Sequence, residues 1–520
     1  MSSYLDKKSI LKKTFQFGWV TLLSRILGIF REILQVRFLG IGAISDAFIM
    51  AFKIPHFLRR IFAEGALSVS FVPVYIRKIK NGELKNGDGL MSLSFLFFEG
   101  IVFFLCLIVV IYPNFVLKII APGFSQDQLT YAVPFLRVLF PIIFFISSSA
   151  LFGGALNAVN HFFVPAFGPV LMNIFYVLTL ILCLNFKLSV SFLCGGILFS
   201  GFAMFVMHAI AYYRYNFSFS WFDGQSIKAF KLVLRKFLPS LIGVSIIEIN
   251  LFVDVILASF LPKGSVSLIY YSGRFVNIPI GVFAVGFATV LLPQFSRFAT
   301  YAKKRFNFYI LEVTKFVSFL IIPAMFFSMF IAERFFRLVL LKNKATAYDL
   351  WTVKWLFIIY ATALVFLCLN KVLVNVFYSL HDTISPTKAL AIATVINFVC
   401  NVIGMKIWGA FGIVGSTSIS SVILTFLFFI FLRRKHNFKF YFANYFNFLG
   451  RYLLLVLISA AIFLISYFTI FNYLQGTGWQ HFFFESYGYW LLMFSLAAIA
   501  GAFIFFTYRL FGIRIYFLSK

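Results

Sequence analysis

Charge is scarce in this chain. Of its 520 residues, 12% are Asp, Glu, Lys or Arg, against about 25% in a soluble domain. Acid is scarcer than base: 16 Asp and Glu face 45 Lys and Arg, for a net charge of +29. With 62% hydrophobic residues, this excludes a string of soluble domains and excludes disorder, which needs low hydrophobicity. The five cysteines (Cys106, Cys183, Cys194, Cys368, Cys400) all fall inside apolar stretches. They have neither metal spacing nor the look of a disulfide framework, and read as small buried hydrophobes. Enzyme motifs are missing: there is no Gly-rich P-loop, no HExxH and no GxSxG. The six histidines are scattered, and His56 reads as a packed polar residue. No cleavable signal peptide is apparent, because the segment after the basic MSSYLDKKSILKK is too long and too charged.

What the chain has is apolar runs of about 20 residues or more, the length that crosses a hydrocarbon core as a helix. The expected fold is an all-α polytopic membrane protein. Fourteen spans are expected near 15–40, 45–76, 91–119, 131–158, 162–185, 188–212, 237–261, 265–295, 307–332, 350–379, 386–407, 411–432, 450–473 and 487–510. In a soluble protein the positive charge would suggest nucleic acid. Here it lies mostly in short loops, so membrane orientation is the more economical reading and no nucleic-acid partner is expected. With the N-terminus in the cytoplasm, roughly 26 Lys and Arg fall inside and roughly 8 outside, as the positive-inside rule demands. Both termini are then cytoplasmic. The outside loop 334–344, with four basic residues, resists the rule.

The second and eighth spans show a faint repeat. At an offset of 221, Lys53 meets Arg274 and Gly65 meets Gly286, while Pro73 and Pro293 miss by one. Two six-span halves in parallel orientation give this pattern, with two spans added, and transporters are commonly built so. Chance similarity between two apolar helices is the competing reading. The expected organisation is a cytoplasmic N-terminus (1–14), a first half (15–212), a linker (213–236), a second half (237–432), a loop (433–449) and two last spans with a basic tail (450–520).

The first two spans carry charge where lipid belongs. The first holds Arg25, Arg31, Glu32 and Arg37; the second holds Asp46, Lys53, Arg59, Arg60 and Glu64. A charge at the bilayer centre costs about 2.5–3.5 kcal/mol even on the lenient insertion scale, so such groups face a partner or a wet cavity. At about 100° per residue, Asp46, Lys53, Arg60 and Glu64 lie within roughly 40° of one another, a single stripe. Arg60 and Glu64 are spaced to pair, and Pro55, between Lys53 and Arg60, can kink the helix. An internal salt-bridge network with snorkelling near the helix ends is the alternative. Yet five Arg and one Lys outnumber three acids in these spans. A surplus in a low-dielectric cavity attracts an anion, and the planar guanidinium fork suits phosphate. Arg274 adds a cation from the eighth span.

A second constellation holds Asp254 in the seventh span, Asn397 and Asn401 one turn apart in the eleventh, and Thr417 in the twelfth. Such oxygens suit Na⁺, and a lone intramembrane Asp also suits a proton relay. Interhelical hydrogen bonding is the plainer reading. Glu248 is an alternative acidic partner.

The run SRILGIFREILQVRFLG, followed by SDAFIMAFKIPHFLRRIFAEGALSVSFVP, resembles the N-terminal signature of the MurJ (MviN) lipid II flippases. These belong to the superfamily of multidrug, oligosaccharidyl-lipid and polysaccharide exporters. APGF at Ala121, ALNAVNHFFVPAFGPVLMNI from Ala155, ASFLPKGSVSLIYYSGR from Ala258 and FYSLHDTISPTK from Phe377 continue the likeness in order. It covers the first twelve spans well and the last two by topology only. LRRIFAEGALS is its most specific element.

The resemblance implies two six-helix lobes around a central cavity, with the two C-terminal helices forming a groove for a polyprenyl tail. It implies that cavity cations bind a diphosphate. By motif position these are Arg25 and Arg31 from SRxLGxxR, Arg59 and Arg60 from LRRIFAEG, and Arg274 from YYxxR, with Lys53 beside them. Ser24, Asp46 and Glu64 form the surrounding network. The family usually has Asp before this last arginine; here it is Gly273, which leaves Arg274 freer or differently paired. Some members are thought to use a cation site in the seventh, eleventh and twelfth helices, where Asp254, Asn397, Asn401 and Thr417 stand, with Asn401 where an acid is wanted. The expected function is flipping of lipid II from the inner to the outer leaflet of the bacterial inner membrane by alternating access, with no covalent chemistry and no cofactor. Na⁺, H⁺ or the membrane potential are candidate drivers, and cell-wall synthesis proteins are candidate partners besides membrane lipids. The rivals are an exporter of another polyprenyl-linked sugar or a drug, and a membrane scaffold that transports nothing.

Overall fold

The computed structural model describes residues 7–60, 67–79, 85–281, 295, 303–340, 345–480, 482–483 and 488–518, and is helical with no strand among them. In chain order the helices are α1 (Lys7–Leu39), α2 (Ala43–Arg59), α3 (Ser68–Lys78), α4 (Lys85–Ile111), α5 (Pro113–Ile120) and α6 (Gln126–Leu139). They continue with α7 (Ile142–Ala158), α8 (Phe163–Phe186), α9 (Val190–Arg214), α10 (Gly224–Ala258), α11 (Ser265–Pro279) and α12 (Lys303–Leu340). The last six are α13 (Ala347–Thr362), α14 (Leu364–Ser379), α15 (Ile384–Trp408), α16 (Ala410–His436), α17 (Phe442–Leu474) and α18 (Gly488–Thr507).

Among the described residues nine helices are long and apolar enough to cross a membrane, or ten when α13 and α14, bent by 43°, count as one span. The expected spans outside that set are the first, second, seventh and eighth, where the charges of the candidate site lie. Proline punctuates the helices: Pro113 opens α5 at its first turn, where a missing N–H is harmless. Pro141 stands between α6 and α7. Gly65, Gly286 and Pro293 of the repeat lie outside the described residues.

The chain packs as two compact units. The first comprises Met1–Arg274, Arg334–Leu356 and Thr394–Ser416; the second comprises Phe275–Glu333, Phe357–Ala393 and Thr417–Lys520. In the first, α8 packs on α1 and α9, α2 on α6, and α7 on α9. Its core joins Phe71 and Tyr75 of α3, Phe98 of α4, Phe152 of α7, Tyr212 of α9 and Phe237 of α10. Lipid is as apolar as these side chains, so the gain comes from close packing rather than from leaving water. Small residues permit it: a Cβ on Gly196 of α9 would sit 2.3 Å from Thr179 of α8, and one on Gly201 of α9 2.6 Å from Ile142 of α7. In the second unit Phe319 of α12, Tyr452 of α17 and Ile504 of α18 share a core with Ile513 and Ile515 of the C-terminal tail. Leu457, Phe468, Leu491 and Phe506 of α17 and α18 remain exposed.

Candidate functional site

Gly40, at φ 65°, and Gly42, at φ 140°, turn the chain sharply between α1 and α2. Such angles are costly for any side chain. The turn brings Asp46, in the first turn of α2, to the start of α11. Asp46 is fully buried. Its Oδ2 accepts the Gly264 amide at 2.6 Å and the Gln128 side-chain amide at 3.1 Å, and its Oδ1 accepts the Ser267 amide at 2.8 Å. A carboxylate on free amides at a helix N-terminus satisfies orphan donors and meets the positive end of the dipole. Asp46 and Ser267 are 221 residues apart, the same offset at which the second and eighth spans align. Ser45 Oγ and Tyr271 Oη add a contact of 2.9 Å beside them. The α5–α6 turn joins the same region, with the Gly123 amide donating to Ser259 Oγ at 3.2 Å. Lys263 and Asp127 pair at 2.5 Å.

The cations gather further along α1, α2 and α11. Arg31 Nη2 donates to Glu32 Oε1 at 2.6 Å and Nη1 to Asn173 Oδ1 of α8 at 3.0 Å. Asn173 turns its amide back to the carbonyl of Ser24 at 3.1 Å. Ser24 and Arg31 are seven residues apart, hence on one face of α1. Arg274 Nε lies 3.7 Å from the same Glu32 oxygen. One carboxylate therefore serves two guanidiniums, and Arg274 has found in Glu32 the partner that Gly273 does not provide. Aromatic faces complete the packing. Arg31 stands 5.2 Å from the Tyr176 ring centre, while Lys53 and Arg274 share the Tyr270 ring at 5.5 and 4.8 Å. Lys53 makes no ion pair among the described residues, although Arg274, Arg60, Asp254 and Glu248 all act on it. About 10 Å of helix rise separates it from Asp46, so the two take different partners.

Arg60 Nη1 contacts both oxygens of Glu248 on α10, at 3.1 and 3.2 Å. Glu64, the expected partner of Arg60, lies outside the described residues. Arg59 is half-buried and Arg25 is exposed. The second constellation also assembles in part. Asn401 donates to Asp254 Oδ1 at 2.7 Å and to Asn397 Oδ1 at 2.9 Å, with all three side chains buried. Glu248 is committed to Arg60 rather than to this group. Thr417 belongs to the second unit, where its carbonyl accepts the hydroxyls of Ser420 and Ser421.

Sequence reasoning passed over Asn173, Tyr176 and Tyr270 as site residues. The polar Asn173 inside an apolar span was one available signal and the YYxxR pattern that begins at Tyr270 another; Tyr176 had none, since aromatics fill this chain. It also passed over Glu99 on α4, a carboxyl buried inside a span.

A bundle of membrane-crossing helices that holds a cluster of cations outnumbering their carboxylates suits a multi-pass membrane transporter. The fold agrees. A solved structure titled "Inward-facing conformation of a multidrug resistance MATE family transporter of the MOP superfamily" matches with a TM-score of 0.64 at 16% identity, over 78% of this chain and 93% of that one. One titled "Lipid II flippase MurJ, inward closed conformation" matches with a TM-score of 0.78 at 25% identity, over 95% and 98%. The family described as "Lipid II flippase MurJ" matches residues 36–487, and the chain belongs to that family. A "Probable lipid II flippase MurJ" of Vibrio cholerae is 32% identical, covering 80% of this chain and 81% of its own length. One of Buchnera aphidicola subsp. Baizongia pistaciae is 29% identical over 97% and 98%. The Buchnera relative and the solved flippase, at 97% and 95% of this chain, extend the likeness past the twelfth span.

Proposed function

We propose that this protein is the lipid II flippase of a bacterial inner membrane, carrying the undecaprenyl-diphosphate-linked peptidoglycan precursor from the inner to the outer leaflet. The observation that carries the proposal is the shared carboxylate. Arg31 and Arg274 both lean on Glu32, and Lys53 beside them has no ion pair among the described residues. Pairing leaves a positive surplus in a low-dielectric setting, which suits a diphosphate. Asn173, Tyr176 and Tyr270 hold the cations in place, so little order is lost when the anion arrives. A drug exporter for cations would want the opposite charge.

The disaccharide-peptide head travels in the wet interior while the polyprenyl chain stays in lipid, against the exposed apolar faces of α17 and α18. No covalent bond is made or broken. The bundle alternates between a state closed at the Asp46 end and one open there. The membrane potential does work of about 2.3 kcal/mol per unit charge per 100 mV, and Asp254 with Asn397 and Asn401 is a candidate Na⁺ or proton site for coupling. The basic bias of the loops supports cytoplasmic termini. Reconstitution in vesicles tests the reading, with fluorescent lipid II and an impermeant quencher reporting transfer. Arg31→Ala and Arg274→Ala are expected to insert normally and lose most transfer. Full-rate transfer by either variant refutes the arrangement.

A further inference from the structure

Glu99 sits on α4 twelve residues into the span that begins at Gly87 and ends at Ile111. At 1.5 Å per residue it is about 18 Å along the span, near the bilayer midplane. Only 3% of it is exposed. Its Oε2 accepts the Ser147 hydroxyl of α7 at 2.7 Å, and the Ser148 hydroxyl lies alongside. Glu99 Oε1 and Ser148 Oγ are enclosed, and neither has a hydrogen-bond partner among the described residues.

The helices packed on α4 are α3, α5, α6, α7 and α10. No described titratable or charged group on them acts on Glu99; the two serines are what faces it. On α4 itself, Cys106 two turns on is influenced by it. An ionised carboxylate at this depth needs a cation or several donors, because an isolated buried charge is far more costly than a buried neutral acid. One serine hydrogen bond supplies neither. The structure therefore suits the neutral acid, and ionisation requires water to enter between α4 and α7.

We propose that Glu99, with Ser147 and Ser148, is a proton-binding site in the packing of α4 against α7, separate from the arginine cluster, and that transport is coupled to release of its proton when that packing opens. The carboxylic O–H bond breaks, the proton passes to the entering water, and the carboxylate keeps the Ser147 hydroxyl as a donor. The binding half stands on geometry alone; the coupling half rests on the transport reading above.

Two measurements separate these halves. Infrared difference spectra of the purified chain in nanodiscs compare wild type with Glu99→Gln at neutral pH. The expected result is a protonated-carboxyl C=O band present only in wild type, shifted by Ser147→Ala because a hydrogen bond is lost. A wild-type spectrum with no Glu99-dependent band, or a band that Ser147→Ala leaves unmoved, overturns the site. In reconstituted vesicles the wild-type transfer rate is expected to vary with pH and that of Glu99→Gln to stay flat. Identical pH profiles overturn the coupling and leave lipid transport itself untouched. Ser147→Ala keeps the carboxyl, so the site stays testable when Glu99→Gln fails to fold.

Discussion

Replacing Asp46 by Ala removes the acceptor of two backbone amides and one side-chain amide, all inside a buried contact between α2 and α11. A buried donor left without its acceptor costs about 1–3 kcal/mol. The lost charge at the α11 N-terminus adds about 0.3–1 kcal/mol, more where burial is deep. Water entering the gap offsets part of this, so about 3–5 kcal/mol is a fair total for the closed arrangement. At 1.4 kcal/mol per tenfold, the contact weakens by about two to three and a half orders of magnitude. Asp46→Asn keeps one acceptor and is expected to lose about one order. A cysteine placed at Ile41, in the adjoining α1–α2 turn, reports opening through its labelling rate with an impermeant thiol reagent. The five native cysteines provide little background, since four are buried and Cys400 is half-buried. Labelling is expected to rise strongly in Asp46→Ala and modestly in Asp46→Asn. Equal labelling and equal melting temperature in all three proteins would show that the carboxylate holds nothing shut.

Gly123→Ala attacks the same region from the other side: its Cβ would lie 2.5 Å from the Phe260 Cα, and labelling at Ile41 is expected to rise without any change of charge. Gly412→Ala puts a Cβ 1.9 Å from the Gly404 carbonyl oxygen, whereas Gly404→Ala meets the Gly412 oxygen at 3.0 Å; the first is expected to lower the melting temperature more, by an overpacking cost of about 1–3 kcal/mol. Asn173→Ala strips Arg31 of its Nη1 partner and is expected to weaken binding of a diphosphate lipid about tenfold, read by a binding titration. In the α14–α15 turn, burial works to raise the Asp382 carboxyl, but hydrogen bonds from Ser385, His436 and Lys435 outweigh it and hold it below its ordinary value. The stabilisation this gives is present above the unfolded carboxyl's value of about 3.9 and is lost as pH falls through the folded one. Asp382→Asn is therefore expected to melt earlier than wild type at neutral pH, with the gap closing in acid.

The helical character was legible in the sequence because apolar runs of membrane-crossing length have no other solution in lipid, where each backbone group must be satisfied within its own segment. The cation surplus was legible too, since a count of Arg and Lys against acids needs no coordinates. The period of a helix reveals which side chains share a face, as it does for Ser24 and Arg31. It does not reveal what that face meets. The match of Arg60 with Glu248 spans 188 residues, that of Arg31 with Asn173 spans 142, and a one-dimensional pattern carries no trace of either. Lys53 and Asp46 shared a stripe, yet one went to the Tyr270 ring and the other to the α11 amides, because two turns of rise separate them and nearer partners won. Residue order alone was enough for a membrane-embedded helical bundle with too many cations for its acids. That Glu32 is shared by two arginines, that Asp46 caps α11 and that Glu99 meets serine rather than a base came only with the folded chain, since packing between distant segments sets each of those distances.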